Sequence, residues 1–121
     1  MKNEILIDGI KYVPEIENNK KMAKKLDGLV YAVIRTYSAG CFSGYVKERK
    51  GKEGTILKAR RFYYWSGAAT LSQLAMEGIK NPEKCKFPCE VEELQLTDII
   101  EVIPTTEQSK KSINDVKIWK M

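Results

Sequence analysis

Two adjacent arginines precede four consecutive aromatic residues in the stretch KARRFYYWSGAATLSQLA, which runs from Lys58 to Ala75. An arginine ends in a planar guanidinium fork that matches phosphate and also stacks on aromatic rings. An aromatic side chain offers a nucleobase a flat surface for stacking. The stretch is therefore typical of a nucleotide or nucleic-acid site, although an ordinary core strand with charged edges has the same composition.

Side-chain alternation along a strand predicts which of these residues could meet a ligand. One face would carry Lys58, Arg60, Phe62 and Tyr64, and the other Leu57, Ala59, Arg61, Tyr63 and Trp65. The leucine and the alanine mark the second face as the core side, so Tyr63 and Trp65 are predicted to be structural. The first face would then point to solvent or to a neighbouring subunit.

This assignment of faces predicts a separate role for each arginine. Arg60 is predicted to contact a phosphate, and Tyr64 is predicted to stack on a base. Arg61 is predicted to anchor the fold by pairing with a carboxylate, either Asp98 or Glu101. Replacing Arg60 by alanine would then weaken binding and leave the melting temperature nearly unchanged, whereas the same change at Arg61 would lower stability.

The segment RTYSAGCFSGY, residues 35–45, supplies a second candidate contact. Arg35 ends a stretch that otherwise looks buried, so its charge needs a specific partner, and a phosphate is one such partner. The small residues that follow would let an anion approach the backbone amides closely. A tight glycine hairpin has the same composition, and the chain contains no Walker or GxGxxG motif.

The turn WSGAATLSQ supplies a third candidate contact. Ser66 and Gly67 precede a helix that is predicted to begin near Thr70, and free backbone amides at a helix N-terminus attract anions. Thr70 and Gln73 also fit the capping-box pattern, in which side chains occupy such amides. The complete set of predicted ligand contacts is Arg35, Lys58, Arg60, Tyr64, Ser66 and Gly67.

The residue types that catalysis and metal binding commonly use are missing or isolated. The chain has no histidine, which removes the commonest general base. No base is recognisable beside Cys41, and Cys85 and Cys89 are too few thiols for a zinc site. We therefore expect a non-enzymatic protein without metal or cofactor. No apolar run is long enough to cross a membrane, which predicts a cytoplasmic protein.

The pattern of apolar residues predicts one α+β domain over residues 1–121. Its core would be a curved, mostly antiparallel sheet of about five to seven strands, with one main helix and a short C-terminal helix. Strands are predicted at 29–40, 41–49, 55–65, 91–104 and 116–119, the fourth of them with a bend near Thr97 and Asp98, and a hairpin is predicted at 4–14. The helices are predicted at 70–79 and 106–114, and Thr105 with Gln108 would cap the second. Residues 17–28 show a weak helical pattern that a basic loop would also show.

Charge is unevenly distributed along the chain, whose net charge is +5. Seven basic and two acidic residues lie between Lys47 and Arg61, whereas six acidic and no basic residues lie between Phe87 and Ser109. Two solvated faces of opposite sign would explain this distribution. An anion site in the basic part, or contacts between subunits, would explain it as well. We expect a homo-oligomer with an even number of subunits.

Four segments together resemble a family of small phage and prophage proteins carried as a domain of unknown function. They are RTYSAGCFSGY, ARRFYYWSGAATLSQLA, KCKF and IIEVIPTTEQSKKSI. The resemblance covers residues 28–119, whereas the N-terminal hairpin and basic segment at 1–27 have no match. It implies a phage or prophage origin but brings no activity and no site residues.

Three functions are consistent with these features. The leading hypothesis is a phage counter-defence protein that captures an anionic nucleotide-type signal of the host. The first alternative is a phage accessory protein that binds nucleic acid through its basic 47–61 region. The second alternative is a virion or host-protein interaction subunit that takes no small ligand.

Overall fold

The computed structural model describes residues 21–121 of the chain. The hairpin predicted at 4–14 and the first part of the weakly helical segment lie outside the described residues. The rest of that segment, residues 21–28, is not helical. It is held by isolated bridges from Met22 to Thr106 and from Leu26 to Leu29.

Five strands form one antiparallel sheet in the order β4-β3-β2-β1-β5. The strands are β1 (Tyr31–Thr36), β2 (Cys41–Lys50), β3 (Glu53–Phe62), β4 (Glu90–Leu96) and β5 (Ile99–Pro104). The helices are α1 (Leu71–Glu77) and α2 (Glu107–Asn114), with a 3-10 turn at Pro82–Lys84. The predicted α+β fold is confirmed. The closing strand predicted at 116–119 is wrong, because that segment makes only an isolated bridge from Ile118 to Phe87.

The extended segment predicted as one bent strand is in fact two strands on opposite edges of the sheet. β4 pairs with β3, and β5 pairs with β1. Leu96 and Ile99, which flank the turn between them, belong to the same buried cluster, so the sheet curls until its two edges share a core. The Tyr37 N–H donates to the Asp98 carbonyl in this turn at 2.9 Å.

Both faces of the curled sheet are buried. The inner cluster, inside the curl, consists of Ala32, Ile34, Phe42, Ile56, Ala59, Leu96 and Ile99. The helix-side core, on the opposite face, includes Tyr31, Val33, Tyr45, Phe62, Leu71, Leu74, Ala75, Phe87 and Ile113. β1 lies between the two cores, which explains why its sequence, YAVIRT, is a nearly continuous apolar run without alternation.

Residues at the start of α2 donate hydrogen bonds to the backbone carbonyls at the C-terminal end of α1. The last four carbonyls of an α-helix have no partner within the helix. In α1 they accept hydrogen bonds from the Thr106 N–H and hydroxyl, the Gln108 amide and the Ser109 hydroxyl. Thr106 also caps α2 by accepting from the Ser109 N–H at 3.1 Å, one residue later than the predicted cap at Thr105.

A β-bulge at Lys58 reverses the side-chain alternation within β3. Lys58 adopts a positive φ of 51°, and the register between β2 and β3 shifts beside it. Ile56 and Ala59 are three positions apart and nevertheless share the inner cluster, whereas Leu57 packs against the helix-side core. The predicted faces are therefore wrong beyond the bulge, because Arg60 now shares the face of Leu57.

Buried Tyr31 is expected to weaken the fold at alkaline pH. Burial raises the pKa of Tyr31 from 10.0 to about 12. The Ser43 hydroxyl is close enough to lower this pKa in part, but it makes no hydrogen bond of good geometry with any described residue. Because the folded-state pKa is raised, the stability from neutral Tyr31 is fully present below about pH 10 and is lost as the pH rises through about 12.

Urea unfolding at several pH values above neutrality measures this loss. Tyr31→Phe cannot ionise, so its stability should fall less steeply than that of the wild type between about pH 10 and 12. Identical pH dependence in the two proteins would contradict the prediction. Tyr63→Phe is the matched control, because it removes a phenol hydroxyl from a side chain that is 63% exposed in the fold.

Candidate functional site

Arg60 is buried beneath the helices, so the prediction that it faces outward is wrong. Only 6% of its surface is exposed. Its guanidinium donates to four main-chain carbonyls, those of Phe87 (3.2 Å), Pro88 (3.0 Å), Ile113 (2.8 Å) and Val116 (2.8 Å). Burial lowers the pKa of Arg60, and the four carbonyls compensate the buried charge. Arg60 therefore holds the C-terminal segments against β3 and lies outside any surface site.

Arg61 is exposed, and neither of its predicted carboxylate partners pairs with it. Its Nη1 donates to the Ala39 carbonyl at 2.8 Å, and its guanidinium carbon lies 4.6 Å from the centre of the Phe42 ring. Glu101 instead pairs with Arg35, its cross-strand neighbour, with 3.3 Å between Nε and Oε1. The structure thus gives Arg60 the anchoring role that was predicted for Arg61, leaves Arg61 exposed, and gives Arg35 a carboxylate partner.

The residues predicted around Arg60 do not converge on one site. Lys58, at the bulge, forms an ion pair of 3.8 Å with Glu92 on the neighbouring strand. Tyr64 is 53% exposed and forms a bridge with Lys86. Trp65 is partly buried against the helix-side core, as its predicted structural role requires. The predicted structural role of Tyr63 is wrong, because this side chain is 63% exposed.

Side chains of the helix itself pair with two of the backbone amides at the start of α1, where an anion site was predicted. The Thr70 hydroxyl accepts from the Gln73 N–H at 3.1 Å, and Gln73 Oε1 accepts from the Ala69 N–H at 2.8 Å. The predicted pairing of Thr70 and Gln73 is confirmed. The Ser66 carbonyl lies 3.6 Å from the Cys85 Sγ, and Gly67 accepts a backbone bond from Lys80. This turn is therefore a structural joint between α1 and the segment after it.

A surface that the sequence reading missed lies where Tyr63 meets the C-terminal end of the chain. The rings of Tyr63 and Trp119 stack with 4.9 Å between their centres and an angle of 9° between their planes. The Lys86 ammonium lies 5.7 Å from the centre of the Trp119 ring. An exposed aromatic stack beside a cation can take up a flat ring together with an anion. We call these three residues the Tyr63–Trp119 stack.

A groove continues from the Tyr63–Trp119 stack along the C-terminal segment. Its volume is about 510 Å³, and Cys85, Lys117, Ile118 and Trp119 are among its lining residues. Ile118 is 57% exposed and gives the groove an apolar wall, while the charged residues that line it are Glu83, Asp115 and Lys117. The backbone fixes this segment, because the Trp119 N–H donates to the Phe87 carbonyl at 2.9 Å. The Trp119 ring is therefore held in place beside the groove.

Sequence reasoning overlooked this surface because its parts are far apart in the chain. Tyr63 directly follows β3, whereas Trp119 is the last aromatic residue of the chain. Only the tertiary fold brings them together. The available signal was the motif VKIWK at 116–120, in which an aromatic residue lies between lysines.

The described part of the chain has no cluster of metal ligands, and two of its three cysteines are disfavoured as nucleophiles. Between residues 21 and 121 no group of three or more cysteine, aspartate or glutamate side chains could hold a metal ion. All three cysteines are free thiols. Burial raises the pKa of Cys41 and of Cys85, which disfavours the reactive thiolate form of both.

A family model with the description "Domain of unknown function (DUF6948)" matches residues 29–113. That range contains all five strands and nearly all of α2 but excludes Trp119. The search of curated proteins and the search of solved structures found no match to the chain. No helix in the described region is both long and apolar enough to span a membrane.

Proposed function

The chain belongs to the DUF6948 family, and we propose that it is a non-enzymatic protein that binds a ligand carrying both a nucleobase and phosphate. The observation that carries the proposal is the Tyr63–Trp119 stack. Tyr63 is the open end of the stack, since 63% of it is exposed. A nucleobase that stacks on Tyr63 would extend two rings that are already nearly parallel.

The two kinds of group at the stack would serve different parts of the ligand. The ring of Tyr63 would take the base through its π-face, which every nucleobase has. The Lys86 ammonium is exposed and would pair with a phosphate as a flexible point charge. Because the Tyr63 ring is already held against Trp119, little side-chain entropy would be lost on binding. No acid, base or nucleophile is needed for this function.

The biological setting is part of the same proposal. The resemblance to small phage and prophage proteins favours a protein that acts in the host cytoplasm. Sequestering a nucleotide signal of host immunity, or binding nucleic acid, would both use the proposed surface. The expected assembly with an even number of subunits remains a prediction that light scattering can test.

Removing the stack is expected to remove most of the binding. Stacking contributes about 1–3 kcal/mol per base, so Tyr63→Ala should weaken binding roughly 5- to 150-fold. Trp119→Ala should have a similar effect, because it removes the support behind the Tyr63 ring. Calorimetric titration with mononucleotides, cyclic dinucleotides and short single-stranded oligonucleotides measures the affinity. Far-UV circular dichroism would show that each variant is folded.

Val30→Ala is a suitable control, because this side chain is 38% exposed and directly precedes β1, at the opposite end of that strand from Arg35. It should bind like the wild type. The proposed function is wrong if no ligand in the panel binds, or if the three variants bind equally well.

A further inference from the structure

We propose that the ligand is a single-stranded nucleic acid several nucleotides long, and that Tyr37 and Arg61 form a second contact for it beside the Tyr63–Trp119 stack. This inference rests on the proposed function and names the class of ligand. It draws on an exposed arginine, an exposed tyrosine and the register of three neighbouring strands.

The sheet brings these residues to one end of the molecule. β1 ends where β2 begins, with Arg35 opposite Cys41, and β3 ends at the same place, with Cys41 opposite Phe62. Tyr37 follows the last residue of β1, and Tyr63 follows the last residue of β3. Two strand spacings, about 10 Å, separate the ends of β1 and β3. That distance corresponds to about three nucleotides at a stacked spacing of about 3.4 Å.

Arg61 connects the two segments that carry the tyrosines. It is two positions before Tyr63, and its guanidinium bonds to the Ala39 carbonyl, in the loop that carries Tyr37. No carboxylate among residues 21–121 forms an ion pair with Arg61. Its planar guanidinium, stacked on Phe42, keeps donors that a phosphate could use. A cation is therefore bonded to the loop of one exposed tyrosine and precedes the other by two residues. Aromatic side chains combined with cations bind single strands by stacking and phosphate pairing.

The openness of this surface favours a polymer over a free nucleotide. Sites for small ligands bury most of the ligand, about 70–90% of its surface. Tyr37 is 80% exposed and Tyr63 is 63% exposed, so neither is part of an enclosed pocket. An open row of aromatic and cationic side chains gains affinity by contacting successive nucleotides of one strand. A single nucleotide would reach only one of these contacts.

Fluorescence anisotropy with labelled oligothymidylates of increasing length, from two to about eight nucleotides, tests the inference. Affinity should rise with length until the strand covers both contacts. Tyr37→Ala and Arg61→Ala should each weaken binding of the longest strand about 5- to 20-fold, and should leave thymidine monophosphate binding unchanged. Arg61→Ala should also make the plot of log binding constant against log salt concentration less steep. The slope should fall by about 1, as expected for the loss of one phosphate contact.

Arg49→Ala is the matched control for Arg61. Arg49 is also an exposed arginine with one bond to a main-chain carbonyl, that of Gly51, but it lies at the opposite end of β2. This variant should bind every strand like the wild type. If Arg49→Ala weakens binding as much as Arg61→Ala, the basic region as a whole binds the strand and the proposed path is wrong.

The failures of the two proposals are distinguishable. If thymidine monophosphate and the longest strand bind equally well and both depend on Tyr63, the ligand is a free nucleotide and only the further inference is overturned. If no length binds and no nucleotide binds, the proposed function is overturned with it.

Discussion

Arg60→Ala is expected to destabilise the protein by at least about 3–5 kcal/mol, a large part of the stability of a domain of this size. The substitution removes a guanidinium that is 6% exposed together with its hydrogen bonds to four main-chain carbonyls. The Phe87 and Ile113 carbonyls keep a backbone N–H donor, whereas the Pro88 and Val116 carbonyls lose the guanidinium that pairs them. Each unpaired buried carbonyl costs the desolvation free energy that its hydrogen bond had offset. The melting temperature should fall by more than about 12 °C, or the variant should fail to fold.

Two further variants make this prediction specific. Arg60→Lys keeps the charge but cannot present a planar fork to carbonyls from different segments, so its stability should lie between those of wild type and Arg60→Ala. Arg61→Ala removes one hydrogen bond of an exposed side chain and its stacking on Phe42, and should cost no more than about 1 kcal/mol. Thermal melts followed by circular dichroism compare the three. Equal melting temperatures for the two alanine variants would contradict the assignment of the arginines.

Gly67→Ala is the second substitution for which a large loss is expected, about 3 kcal/mol or more. Gly67 has a φ of +95°, where an L-residue is strained. A Cβ there would also lie 2.5 Å from the Asn81 nitrogen and 2.6 Å from the Lys80 nitrogen. Both are backbone atoms, so no side chain can rotate away. The turn before α1 would have to separate from the segment that follows α1.

Gly40→Ala separates the two causes of this loss. Gly40 has the same φ of +95°, but a Cβ there would have no neighbour within 4 Å. It should therefore show only the conformational cost, about 1–2 kcal/mol. Chemical denaturation of both variants measures the difference. If they are equally stable, steric contact at Gly67 contributes nothing, and the fold does not need the close approach of Gly67 to the backbone of Lys80 and Asn81.

Much of the fold was predictable because it depends on local patterns. The apolar runs around β1 and β2, the glycines between β2 and β3, and the pairing of Thr70 with Gln73 each act over a few residues. The turn at Thr97 and Asp98 was also recognisable. That it carries the chain from one edge of the sheet to the other was not, because strand order depends on contacts between distant residues.

The candidate site could be predicted only in part, because the exposure of each residue in β3 depends on the bulge at Lys58. If the side chains alternated without interruption through Lys58, Arg60 would face solvent and Tyr63 would face the core, as predicted from the sequence. The inserted residue reverses the assignment of Arg60, whereas Tyr63 lies beyond the end of β3 and is exposed. Nothing at Lys58 itself marks a bulge, since lysine rarely adopts a positive φ. Gly44 on β2 lies opposite the bulge, where the two backbones leave no room for a side chain. A Cβ there would lie 2.9 Å from the Leu57 carbonyl oxygen.

The sequence by itself determined the chemistry that is available: arginines beside aromatic residues, three cysteines, no histidine and a set of strands and caps. Those features depend on residue type and short spacing. Only the tertiary structure decided which arginine is buried, because that depends on the carbonyls that four distant residues bring to Arg60. The same holds for the Tyr63–Trp119 stack. Its two rings meet because the C-terminal segment runs back along Phe87, a long-range contact that no local pattern encodes.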